Sequence, residues 1–297
     1  MSRGRATAIG FVAVLLWALL ALLTVGAAPT PPLLLNAICF TIAGAAGLAW
    51  IAVSGGVAPL LRVPLRVYAF GTAGLFGYHA LYFAALRAAP PAEAGLIAYL
   101  WPLLIVLFSG LLPGERVRAG HLAGAVLGFA GAGLLITGGG LDGVRSEHFA
   151  GHGLALLCAL TWSGYSVLSR RLGGAPTQTV AVFCLASAAL SWALHLAFEP
   201  TIWPQGARGW AAVLGLGLGP VGLAFFLWDI GVKRGDIQLL GTSSYAAPLL
   251  STLILVGAGV AAPSWALAVA ALLITGGAAL AARASMRVNS TGARSLP

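Results

Sequence analysis

Two stretches of this sequence, YLWPLL (99–104) and YAAPLL (245–250), carry the same Tyr-x-x-Pro-Leu-Leu pattern 146 residues apart. Each sets a phenol three residues before a proline inside a strongly apolar run. Proline donates no backbone hydrogen bond, and its ring clashes with the carbonyl four residues back, so each run should bend. Pro102 and Pro248 therefore strip the carbonyls of Ala98 and Ser244 of their helical donors, and Thr242, Ser243 and Ser244 add hydroxyls beside the second bend. Bare carbonyls suit an ammonium, whereas hydroxyls and ring N–H groups suit a carboxylate. Neighbouring helices could satisfy the same groups, in which case the bends serve packing alone.

More side chains of this kind recur at comparable depth. Trp17, Trp101 and Trp162 sit mid-run, as do Tyr99, Tyr165 and Tyr245, with Tyr78 and Tyr82 nearby. A phenol or indole among apolar neighbours needs a partner for its polar tip, so these rings should point inward. The ionisable groups are few. His79 lies one turn from Tyr82 and is a candidate for substrate or proton contact. Asp229 precedes Lys233 by four residues, a spacing that favours a helix-face ion pair and leaves proton coupling as the other reading. His195 reads as structural. Enzymatic chemistry would need paired carboxylates, a nucleophile with its base, or clustered metal ligands. Only His79 and Asp229 are available, at different depths, so we expect no catalytic residue, no cofactor and no metal.

The elements that must hold these residues follow from composition. Of 297 residues, 60% are hydrophobic and 8% charged, far from the balance of a soluble domain. At about 20 apolar residues per crossing, ten helical spans fit, roughly at 8–27, 32–54, 66–87, 92–112, 119–138, 151–169, 178–198, 209–232, 237–260 and 264–283. Segments such as LLLNAICFTIAGAAGLAWIAV lack the alternation of a barrel strand. The first run, behind Arg3 and Arg5, resembles a signal peptide but is long enough to span.

Charge orients the bundle. Alternating sides from the N-terminus assigns thirteen Lys and Arg residues to one face and only Arg87, Arg145 and Arg208 to the other, which puts both termini in the cytoplasm and makes the span count even. The net charge of +9 is thus spread as pairs over successive loops, which argues against nucleic-acid binding. Cys39, Cys158 and Cys184 read as packing residues.

Trp17 answers Trp162 at an offset of 145, close to the 146 of the Tyr-x-x-Pro motifs. This divides the chain into halves at 1–145 and 146–297, with five spans each. Five is odd, so the second half must enter the membrane inverted, an arrangement whose binding sites lie at the midplane between repeats. LLITGG (134–139 and 272–277) repeats out of register and carries no weight. Trp50, Trp192, Trp203, Trp210, Trp228 and Trp265 fall near span ends, where interfacial rings are expected. The glycines, among them Gly71, Gly74 and Gly77, Gly124 and Gly128, and Gly215 and Gly219, read as close helix contacts. GGGLDG (138–143) lacks the Gly-Lys-Ser/Thr of a phosphate loop.

Ten spans in two inverted halves with Tyr-x-x-Pro in spans 4 and 9 resemble the drug/metabolite transporter superfamily, specifically its EamA-type permeases. Within it, HALYFAALRAAPPAEAGLIAYLWPLL (79–104) is similar to the YddG-type aromatic amino acid exporters. The resemblance implies a bacterial inner-membrane exporter working by alternating access, with a cavity lined mainly by spans 1, 3, 4, 6, 8 and 9. Matching positions are Trp17, Trp162, His79, Tyr82, Tyr99, Trp101, Pro102, Ser244, Tyr245 and Pro248. The expected partners are a small-molecule substrate, an aromatic amino acid first among them, and the lipid bilayer; oligomeric state is unreadable. A broad exporter of amphipathic compounds is the alternative, with an intramembrane enzyme or a passive channel behind it.

Overall fold

The computed structural model describes residues 1–54, 56–137, 146–171, 174–260 and 262–292. Arg145, Arg294 and the whole GGGLDG stretch (138–143) lie outside these residues, as does the end of the first LLITGG copy. Among the described residues all regular structure is helical, and every expected span is occupied by a helix or a broken helix. Six spans are single helices: α3 (Pro32–Val53), α4 (Leu65–Ala88), α7 (Ala119–Thr137), α8 (Phe149–Arg171), α9 (Thr179–Phe198) and α14 (Trp265–Gly292).

The other four are interrupted. Span 1 is α1 (Arg3–Trp17) and α2 (Leu20–Gly26); span 4 is α5 (Pro91–Ala98) and α6 (Trp101–Ser109). Span 8 is α10 (Gly206–Leu218), a π-helical turn at Gly219–Leu223 and α11 (Ala224–Arg234); span 9 is α12 (Ile237–Ser243) and α13 (Ala246–Gly257). The breaks in spans 4 and 9 fall just before Pro102 and Pro248, where the sequence places bends. The π turn contains Pro220, whose missing N–H loosens the local ladder. The break after Trp17 has no proline at hand and went unread in the sequence. Among the described residues seven stretches are long and apolar enough to cross a bilayer, and the chain is a multi-pass membrane protein. Spans 3 and 6 are long enough but less apolar, and span 4 is split; all three carry the mid-run rings and polar side chains.

Packing is pairwise. α1 lies on α11, α4 on α8, α3 on α9 and α7 on α14, while α6 packs on both α8 and α12. Two of these contacts are backbone to backbone. A Cβ on Gly10 would fall 2.8 Å from the Cα of Gly231, and one on Gly124 would fall 2.4 Å from the carbonyl oxygen of Gly277. Only glycine permits such approach.

Polar ties hold both ends of the bundle. At the end carrying the N-terminus, Glu115 binds Arg170 (2.6 Å) and Arg3 (3.0 Å), and Asp236 faces Arg3 at 3.5 Å. Arg170 also donates to the Gly235 carbonyl. At the opposite end the buried Glu199 accepts from the backbone N–H groups of Leu33 and Leu34, capping α3, and pairs with Arg87 at 2.9 Å. The Asp229–Lys233 ion pair expected from spacing is present at 2.8 Å. Trp50, Trp203, Trp210 and Trp265 are exposed, as interfacial rings should be, but Trp228 is fully buried. Its expected place at an interface is corrected: a residue one turn from a span end can still face the bundle axis.

Candidate functional site

Within the bundle lies a cavity of about 890 Å³. Part of its lining is a cluster of indoles. Trp17 stands edge-on to Trp101 (6.0 Å, 84°) and to Trp162 (5.9 Å, 73°), and Trp101 meets Trp162 at 6.3 Å and 87°. Such T-shaped contacts let the edge of one ring meet the electron-rich face of the next. Trp228 supports the group from behind, 5.1 Å from Trp17 and 5.8 Å from Trp101. Two tips are tied to the scaffold: Trp17 Nε1 donates to the Pro220 carbonyl in the π turn (3.1 Å), and Trp228 Nε1 to Ser166 Oγ (3.1 Å). The helix irregularities therefore do positional work, since Trp17 ends α1 and Pro220 supplies the carbonyl it needs.

Span 3 forms one wall. Tyr78 and Tyr82, one turn apart, stack at 6.1 Å with planes 2° apart, and Tyr78 reaches Trp162 at 5.5 Å. His79 donates from Nδ1 to the Leu75 carbonyl (2.7 Å), because a carbonyl can only accept. In the neutral ring Nε2 then carries a lone pair, and the ring packs edge-on to Phe40 (centroids 5.1 Å apart) and Phe225 (6.1 Å). Tyr99 completes the opposite wall, 6.1 Å from Trp101. Of the residues singled out from sequence, Trp17, Tyr78, His79, Tyr82, Tyr99, Trp101, Trp162 and Pro248 line the cavity.

The remaining singled-out residues sit behind its walls. Tyr165 is buried in a notch made by Gly74, where a Cβ would come 2.4 Å from its ring. Tyr245 fills the matching notch at Gly128 and accepts from the backbone N–H of Leu103 through its hydroxyl (3.1 Å). That bond serves the first turn after the span 4 break, across 142 residues. Ser244 is buried and donates to the Leu240 carbonyl (2.7 Å), while Ser243 and Pro102 are outside the lining. The expected bare carbonyl of Ser244 is corrected, because Ala247 N–H donates to it at 3.1 Å once the turn tightens. Asp229 is fully engaged by Lys233 and by Thr177 Oγ1 (2.8 Å), near the N-terminal end of the bundle.

Sequence reading missed several lining residues. Asn36 lies in the wall and donates Nδ2 to Ser191 Oγ (2.9 Å), leaving its carbonyl oxygen as an acceptor. A lone amide inside an apolar run was the available signal. Phe83 and Phe225 gave none, since phenylalanine has no polar tip to mark its direction. Thr24, Pro29, Thr30 and Leu86, toward the end opposite the N-terminus, also line the cavity. The Arg3–Glu115–Arg170–Asp236 cluster lies at the other end of the bundle, outside the lining.

Comparison with known proteins places this geometry among relatives. Residues 5–137 and 149–283 each match the EamA-like transporter family. The chain is 58% identical over 283 residues to a protein of Ancylobacter novellus named "Aromatic amino acid exporter YddG", covering 95% of this chain and 98% of that one. Proteins of the same name from Salmonella typhimurium and Escherichia coli are 25% and 24% identical, over 85% and 97% of this chain and 88% and 100% of theirs. A solved crystal structure, 57% identical, superposes with a TM-score of 0.90 over 95% of this chain and 99% of its own.

Proposed function

This chain belongs to the EamA-like transporter family, and on that premise we propose that it exports aromatic amino acids such as phenylalanine, tyrosine and tryptophan. The observation that carries the reading is the indole and phenol lining of an 890 Å³ cavity, joined to 58% identity with a relative named for this activity. A substrate ring would pack on Trp17, Trp101, Trp162 and Tyr78, while His79 Nε2, the Asn36 carbonyl oxygen and the tyrosine hydroxyls serve its ammonium and carboxylate. Among the described residues no Lys or Arg lines the cavity, which disfavours phosphorylated substrates.

Transport would proceed by alternating access between two inverted halves, 1–145 and 146–297. The two separate family matches, one per half, support that division. So does the helix pairing: exchanging spans 1 to 5 with 6 to 10 turns the 1–8 contact into the 6–3 contact and leaves the 2–7, 4–9 and 5–10 contacts as themselves. In this reading the protein sits in the bacterial inner membrane with both termini cytoplasmic, and the part of the cavity lined by Thr24, Pro29 and Thr30 faces outward. The breaks at Tyr99–Leu100 and Ser244–Tyr245 are the hinges, with Pro102 and Pro248 fixing where they fall. Asp229, committed to Lys233 and Thr177, is structural, and facilitated movement down the amino acid gradient is the coupling mode.

Counterflow in proteoliposomes against all twenty amino acids tests the proposal. We expect saturable exchange confined to aromatic substrates and impaired by Trp101→Ala or Tyr99→Ala at unchanged protein yield. Equal exchange of lipophilic cations would favour the broad exporter, and unaltered transport in both variants would remove this cavity as the substrate site.

A further inference from the structure

A second cavity, of about 700 Å³, opens at the end of the bundle that carries the N-terminus. Its walls come from two loops. One is the 3-10 turn Leu60–Arg62, clamped to α4 by the Tyr68 hydroxyl, which donates to the Leu60 carbonyl at 2.8 Å. The other is the 174–176 segment, held by Lys233 Nζ donating to the Ala175 carbonyl (3.1 Å) and by Thr179 Oγ1 donating to that of Pro176 (2.8 Å). Both walls are therefore prebuilt, and the Asp229–Lys233–Thr177 network, which has no place in the transport cavity, shapes one of them.

Two guanidiniums, Arg62 and Arg171, line this cavity together with Val63, Val67 and Pro176. Among the described residues neither forms an ion pair; Arg171 spends one arm on the Leu111 carbonyl (2.9 Å). The charge is uncompensated locally, although acidic partners serve Arg3, Arg87 and Arg170 elsewhere. Beside the opening the chain exposes Val57 (55%), Leu61 (82%) and Leu65 (81%). An apolar fringe next to a two-arginine pocket fits a molecule with an anionic head and an apolar tail.

We propose that this cavity is a binding site for an anionic phospholipid, its phosphate held between Arg62 and Arg171 and its acyl chain laid over Leu61 and Leu65. Paired guanidiniums match phosphate oxygens in a way that single ammonium groups do not, and basic pockets between spanning helices on the cytoplasmic side are suited to such headgroups. The inference leans on the orientation proposed above only for the leaflet from which the lipid comes. Its test in detergent does not depend on that orientation or on transport.

Delipidated protein in dodecyl maltoside is titrated with phosphatidylglycerol, phosphatidylcholine or inorganic phosphate, and bound lipid is counted by native mass spectrometry. We expect wild type to retain phosphatidylglycerol over phosphatidylcholine. Arg62→Gln/Arg171→Gln should weaken that retention about 10- to 30-fold, with the Arg66→Gln/Arg116→Gln control, at the same end but outside the cavity, within about 2-fold. If the double variant does not fold, Arg62→Gln and Arg171→Gln singly decide, each expected to lose about 3- to 5-fold. Equal losses in the control, or displacement of phosphatidylglycerol by equimolar free phosphate, would overturn the proposal.

Discussion

Gly128→Ala should uncouple the two broken helices that meet behind the cavity. The new Cβ would lie 2.4 Å from Tyr245 Cδ2, 2.9 Å from Cγ and 3.1 Å from Cβ. Contact with Cβ as well as the ring means that a swing about the side chain cannot relieve the clash, so the α12–α13 junction must yield by about 1 Å to restore ordinary spacing. That shift takes the Tyr245 hydroxyl from 3.1 Å to beyond hydrogen-bonding range of Leu103 N–H. Overpacking costs about 1–3 kcal/mol and a stranded buried N–H about 1–3 kcal/mol more. Tyr245→Phe removes only the second contribution. The double variant loses the hydrogen bond once, so it should cost less than the sum of the single variants by about 1 kcal/mol or more. Unfolding in mixed micelles of SDS and dodecyl maltoside, followed by far-UV circular dichroism, measures all three. Additivity within about 0.5 kcal/mol, or a cost for Gly128→Ala under about 0.5 kcal/mol, would refute this account of the notch.

Further outcomes follow from the polar ties and the indole cluster. Glu115→Gln leaves Arg3 and the more buried Arg170 without their shared carboxylate and should destabilise by about 2–4 kcal/mol, with Arg3→Gln costing less than half as much; equal losses in the two melting curves would contradict the sharing. Glu199→Gln removes the charge that caps α3 and should cost about 2 kcal/mol, whereas Arg87→Gln, more than half exposed, should cost under about 1 kcal/mol in the same assay. Trp228→Ala empties a fully enclosed site and should cost about 3–5 kcal/mol; Trp265→Ala, at a residue 70% exposed, should leave detergent stability within about 1 kcal/mol.

Much of this architecture was legible because the bilayer imposes simple rules. The expected spans each coincide with a helix or a broken helix, seven of them, among the described residues, long and apolar enough to cross, and the repeated Tyr-x-x-Pro located two of the four breaks. Polar tips in mid-run marked Tyr78, His79, Tyr82, Tyr99 and the three central indoles, all of which line the cavity. The same argument could not separate Tyr99 from Tyr165 or Tyr245. Each of the latter drops into a glycine notch on another helix, and a notch can be matched to its ring only when the helix pairing is known. Trp228 was misplaced because distance from a span end says nothing about which side of the helix a residue occupies. The break after Trp17 left no sequence mark, since Ala18 and Leu19 are ordinary helix formers.

The less apolar character of spans 3 and 6 bears on how the chain enters the membrane during synthesis. Their phenols, imidazole and hydroxyls lower the gain from leaving the insertion machinery for lipid, so these helices depend on company to stay there. α4 has its chief partner in α8, which belongs to the second half of the chain. Span 3 must therefore wait, loosely accommodated, through the translation of spans 4 and 5 until span 6 emerges to cover it. Biogenesis of the first half is completed by the start of the second.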